Sequence, residues 1–323
     1  MKIKSILISM MMLLLLGSLF ATPAIFNYMD MNGTVGAAYK LMSDDDTSDA
    51  DVVVTNFDLD LTLNPSDIFS AYLALDYSND MDYMYVDEAY AKVRMMEEYP
   101  LHVTAGQFYM PTSIDKAESN FYSDPLTYSF AEMPEIGLMA DFGWKTLTLK
   151  TAFFKEVGND SDEDTNIDAF VVNLVTEHEI EDGKVMVSGS YTSNIGVSGI
   201  FEAPMTGDDA VAAVTLGAMA NWRDWGFLGE YLMTLDDIGE DPISVMHAEL
   251  SFAAIPDWVF AAKYEMSQEA DAFLPETVVG GVASYTFMRN SFSEASVGAE
   301  YLMETDYNED STNNAIVKLT YKF

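Results

Sequence analysis

NAIVKLTYKF, residues Asn314 to Phe323, closes the chain, and its reading decides the fold. At every second position Ala315, Val317, Leu319, Tyr321 and Phe323 are apolar, while Lys318, Thr320 and Lys322 between them are polar. A period of two marks a strand with one greasy and one wet face. The greasy face runs into an aromatic residue at the very end, so that residue has to be tied into structure, although chain ends are usually loose. A closing strand of an outer-membrane β-barrel has this form, with apolar side chains to lipid and polar ones to the lumen. An edge strand of a soluble sandwich explains these ten residues equally well, so the rest of the chain must decide.

Working back, the same alternation returns in pairs. Val53 to Leu63 and Phe69 to Tyr77 flank a turn at Asn64-Pro65-Ser66-Asp67. Six further hairpins follow down to Arg289-Asn290, and with a first strand at Thr34 to Leu41 the reading reaches sixteen strands. The connections between hairpins are long, polar and acidic, including Met42 to Asp51, Ser78 to Tyr85, Tyr109 to Glu135, Lys155 to Asn166 and Glu304 to Asn313. Short and long connections therefore alternate, as in an all-β transmembrane antiparallel up-and-down barrel with short periplasmic turns and longer extracellular loops. A sandwich has no reason to alternate them. All four tryptophans (Trp144, Trp222, Trp225, Trp258) and Tyr99 fall at or beside the short turns, where an interfacial girdle needs them. A barrel of this size is expected to hold an aqueous channel instead of a packed core.

Composition excludes several functions. The chain has 323 residues, 15 Lys plus Arg against 53 Asp plus Glu, a net charge of −38, and no cysteine. Nucleic acid is excluded as a partner because phosphate needs clustered cations, and neither a disulfide nor a thiolate metal site is available. Lys2 and Lys4 ahead of the uncharged run Ser5 to Phe20, then Ala21, Thr22 and Ala24, read as a signal peptide over residues 1–24. Residues 25–323 are then one barrel in the outer membrane of a Gram-negative cell. Its expected partners are membrane lipid, lipopolysaccharide and a small-molecule solute, with a homo-oligomer left open.

The strand phases turn nine acids inward, among them Asp58, Asp60 and Glu265, against seven bases, among them Lys92, Arg94, Lys150 and Lys263, so a nearly balanced lumen is expected. Lys92 and Arg94, with Lys150 nearby, would form a basic stripe facing an acidic wall, a transverse field that orients solutes; mutual pairing of these charges is the plainer alternative. Asp160, Asp162 and Asp164 alternate as in a calcium loop. Thr165 replaces the glycine that loop requires and Val171 its bidentate glutamate, so no metal site is assigned. His102, His178 and His247 fall on different hairpins and no nucleophile motif is present, so no catalytic residue and no cofactor is assigned.

The most distinctive local sequence is Gly106-Gln107-Phe108-Tyr109-Met110-Pro111, followed by Ser123-Asp124-Pro125-Leu126-Thr127 and then Glu132 and Glu135. This run resembles the corresponding stretch of the LbtU-family siderophore porins. The resemblance implies an outer-membrane porin that takes up ferric siderophores without an energy-coupling plug. The chain departs from the family in Thr112-Ser113-Ile114, where a glycine-rich continuation is usual, and in the short segment ahead of the first strand. On the residues alone, Gly106 to Pro111 read as a rim bulge and Asp124-Pro125 as a turn, together making Tyr109 to Glu135 an infolded constriction loop. A general cation-favouring diffusion porin is the alternative, followed by a structural or adhesive barrel and an outer-membrane hydrolase.

Overall fold

The computed structural model describes residues 28–43, 48–78, 83–96, 100–112, 114, 118–155, 167, 169–201, 210–236, 238 and 241–323. The leader read at residues 1–24, the turn residues Glu97 to Tyr99 and the acidic stretch Asn159 to Asn166 lie outside them. Sixteen strands are present: β1 Met29–Ser43, β2 Ser48–Leu63, β3 Phe69–Ser78, β4 Tyr83–Met96, β5 Leu101–Tyr109, β6 Pro134–Trp144, β7 Leu147–Phe154 and β8 Ala169–Ile180 form the first half. The second half is β9 Gly183–Thr192, β10 Ala213–Trp222, β11 Trp225–Thr234, β12 Ser244–Phe252, β13 Trp258–Gln268, β14 Thr277–Arg289, β15 Glu294–Thr305 and β16 Ser311–Lys322. Each pairs antiparallel with its neighbours in sequence, and β1 pairs with β16 to close the barrel.

Closure follows from the solvent. In hydrocarbon an unpaired backbone group costs several kcal/mol, so amphipathic strands with a lipid face cannot leave an edge. The seam is pinned at its end: the Gly33 amide donates to the Phe323 carbonyl and the Phe323 amide to the Gly33 carbonyl, each at 3.0 Å. The Phe323 ring covers Gly33, where a β-carbon would lie 2.5 Å from the ring's Cζ. Only a glycine lets the terminal ring close down on the first strand. Val317, Leu319 and Tyr321 stand exposed on the outer face, as the alternation requires, and so do all four tryptophans at the ends of strands that meet in short turns. Lys145 lies 5.3 Å over the Trp144 ring and Arg223 4.8 Å over that of Trp222.

Two expectations change. The strands run further than their apolar cores: β1 reaches Ser43 and β2 starts at Ser48, β3 ends at Ser78 and β4 starts at Tyr83, and β15 and β16 meet across residues 306–310. Those three connections are therefore short, because beyond the hydrocarbon both faces of a strand are wet and polar residues can continue the ladder. The interior, moreover, is not simply aqueous, as the connection between β5 and β6 shows.

Candidate functional site

The chain between β5 and β6 enters the barrel. Gly106, Gln107, Phe108 and Tyr109 belong to β5 itself, and Glu135 to β6, which corrects their assignment to a loop. Gly106 has φ +138°, and a β-carbon there would lie 2.2 Å from the Ala89 carbonyl oxygen, so glycine is what lets β5 run flat against β4 instead of breaking the strand. Gln107 Nε2 then donates to the Asp87 carbonyl (3.0 Å), the Tyr109 amide to Glu88 Oε1 (3.2 Å) and the Tyr109 hydroxyl to Asp87 Oδ1 (2.6 Å). Glu135 is half-buried opposite Phe108.

From Pro111 the chain crosses to the far wall along a series of anchors. Asn173 of β8 donates to the Pro111 carbonyl (2.8 Å) and Ser190 of β9 to that of Thr112 (2.6 Å). Four buried glutamates then take over, one each from β11, β12, β13 and β15. Glu230 accepts the Ile114 amide (2.6 Å); Glu249 accepts from the Ser119 hydroxyl (2.7 Å) and from the amide (3.1 Å) and Nδ2 (2.7 Å) of Asn120. Glu300 accepts the amides of Tyr122 and Ser123, and Glu265 that of Leu126 (2.8 Å). Where such an acceptor is ionised, as Glu265 is beside Lys263, the bond is about twice as strong as a neutral one. Leu126 opens a short helix, α1 (Leu126–Ala131), after Asp124 and a buried Pro125; its amide is one of the orphan donors of a helix start, and Glu265 satisfies it. Glu132 ends the helix, its carbonyl accepting the Gly199 amide at 3.3 Å.

The wall beneath the loop is an alternating charge cluster. Glu265 is 2.8 Å from His247 Nδ1 and 2.8 Å from Lys263 Nζ, and Glu249 lies 3.9 Å from His247 Nε2. Lys263 also donates to the Ser123 hydroxyl at 2.9 Å. Lys263 and Glu265 do face inward, yet the loop covers them, so neither is a charge of the open lumen. Gly298 on β15 makes the close approach possible: a β-carbon there would come within 1.9 Å of the Tyr122 hydroxyl.

An apolar core sits behind this loop. Phe130 and Met133 pack with Ile195 and Phe201 of the β9–β10 connection and with Leu232 and Val245 of the wall, and Phe201 meets Phe130 and Phe273 edge-on at 5.6 and 5.1 Å. Each such side chain withdrawn from water contributes about 1.5–3 kcal/mol. The expectation of an unpacked aqueous interior is thereby corrected, since part of the lumen is dry core.

Between this loop and the wall formed by β2 to β9 a cavity of about 800 Å³ stays open. Among the described residues its charged lining is Asp58, Asp60, Asp76, Asp87, Glu88 and Glu118 against Lys150, so this cavity is strongly acidic, although the loop covers four inward glutamates and one lysine elsewhere on the wall. Tyr72, Tyr90, Tyr109 and Tyr128 line it too. The expected basic stripe is interrupted. In register, Arg94 of β4 pairs with His102, His102 with Asp141 and Asp141 with Lys150, and Asp141 also binds Lys92 Nζ at 3.1 Å and His102 Nδ1 at 3.0 Å. Asp141 went unremarked in the sequence although its parity on β6, two residues beyond Met139, turns it inward. The three histidines are not brought together: His247 is buried under the loop, His102 pairs with Asp141, and His178 is exposed near the end of β8 with Thr176 Oγ1 3.2 Å from its Nε2.

A closed barrel of sixteen antiparallel strands, oily outside and carrying a connection folded into its interior, defines the class: an outer-membrane β-barrel of the porin architecture, set in the outer membrane of a Gram-negative cell. No protein-family model matches the chain. No curated protein matches it either. Solved structures do. Pseudomonas putida OprB in its high-pH structure aligns with a TM-score of 0.65 at 12% identity, covering 92% of this chain and 95% of that one. An anion-selective porin from Comamonas acidovorans aligns at 0.64 and 10% identity (91% and 99% covered), and Salmonella typhi OmpF in complex with daunomycin at 0.63 and 12% (91% and 97%). At this identity the likeness speaks to the fold alone.

Proposed function

We propose that the protein is a passive diffusion channel for small polar solutes, that residues 110–133 narrow it, and that it favours cations. One observation carries this reading: among the described residues, six carboxylates and one lysine charge the cavity left open beside the loop. A lining of one sign with low-dielectric walls concentrates counter-ions and repels co-ions. In planar bilayers under a KCl gradient the reversal potential should take the sign of a potassium-selective pore. A chloride-selective or non-selective pore, or a protein without conductance, would overturn it.

The ferric-siderophore reading is kept as a second one, favoured by where the quoted motif falls. Tyr109 and Pro111 line the open cavity, and Pro125-Leu126-Thr127 starts the helix that holds the loop. The acidic lining restricts the cargo to neutral or cationic chelates. Liposome swelling with sugars and with such a chelate separates the two readings: selective entry of the chelate supports uptake of iron, and a plain size cutoff leaves a general porin.

A further inference from the structure

We infer that the open cavity is a binding site for organic cations of amino-acid size, those with a guanidinium or ammonium group on an apolar stem. The inference deepens the cation-favouring reading and rests on it. Carboxylates alone would suit any cation, and a small inorganic one would pass with its hydration shell. The tyrosines change that preference. Tyr72 and Tyr90 lie 5.1 Å apart and Tyr109 and Tyr128 6.3 Å apart, measured between ring centroids. The hydroxyls of Tyr72 and Tyr109 are already donated to Asp60 Oδ1 and Asp87 Oδ1, both at 2.6 Å, so what these residues still offer is ring surface beside negative charge. Weakly hydrated cations, guanidinium above all, gain from that combination, whereas a strongly hydrated ion loses water for it. The protein uses the same contact on itself, with Lys263 4.9 Å over Phe121 and Lys318 5.1 Å over Tyr122.

Two further features point to an occupant. Asp58 and Asp76 stand directly opposite each other in register on the inner face, with Asp60 two residues along. A solute cation seated between them is attracted by both carboxylates at once. On the other wall Asn173 is 5% exposed, lines the same cavity and spends its Nδ2 on Pro111, while its Oδ1 has no donor among the described residues. Burying such an acceptor without a partner is costly, and an N–H of the solute would satisfy it.

The test uses the intact barrel in planar bilayers, with arginine and citrulline as probes, which match in size and differ in side-chain charge. Arginine should interrupt the potassium current at concentrations well below those at which citrulline does. Replacing both rings, Tyr72→Leu with Tyr90→Leu, should raise arginine's half-blocking concentration about three- to tenfold, in keeping with the loss of cation–π contacts. Tyr72→Phe, which keeps the ring, should leave it near the original value. Tyr72→Leu alone gives the same reading should the double variant not assemble. Equal block by arginine and citrulline, or an unchanged half-block after loss of the rings, in a channel that still prefers potassium, sinks this inference and spares the channel reading. Loss of potassium preference in the unaltered protein sinks both.

Discussion

Glu265 shows how much one side chain holds. With no exposed surface it accepts from His247, Lys263 and the Leu126 amide, joining two wall strands to the loop. Removing one partner of a buried ion pair leaves the other, here Lys263, charged and without its carboxylate, at about 3–5 kcal/mol. Glu265→Ala should therefore lower the thermal unfolding midpoint of the refolded barrel and make its open-channel current larger and noisier. Glu265→Gln, which keeps an acceptor for Leu126, should do less. Equal melting and equal noise in Glu265→Ala and the unaltered protein would show that the other anchors hold the loop without Glu265. Parity along β13 was enough to turn Lys263 and Glu265 inward. It could not tell that they are covered, because alternation reports which face a residue occupies and carries no information about what crosses over it.

At the scale of elements, the connection from β5 to β6 is where the sequence was hardest to read. Gly106 read as part of a rim bulge, since glycine in a strand often marks one, but here it is spent on a close approach of two backbones. The helix α1 has six residues, too few for any helical period to register, and Asp124-Pro125 signals a turn as readily as a helix start. In the sequence the infolding of the loop rested on a rim bulge at Gly106 to Pro111 and a turn at Asp124-Pro125. Deleting Thr112 to Thr127 should raise single-channel conductance. It should also strengthen the preference for cations, because Glu230, Glu249, Glu265 and Glu300 would then face water with Lys263 as the base among them. An unchanged conductance would place the loop outside the conduction path.

For the molecule as a whole, strand number, closure and the oily belt could be read from the chain because lipid leaves no other arrangement for sixteen amphipathic strands. The lumen could not, because its charge depends on which side chains the loop removes from it. The consequence is a salt dependence. Mobile ions screen exposed charges over about 10 Å at 0.1 M and about 3 Å at 1 M. The ratio of potassium to chloride permeability should therefore fall as KCl rises between those values. The triple variant Asp58→Asn, Asp60→Asn, Asp76→Asn removes half of the six carboxylates that charge the cavity, so it should lower the ratio at 0.1 M and flatten its dependence on salt. A variant that kept both the ratio and its salt dependence would assign selectivity to charges outside the cavity, and the cavity would then set size alone.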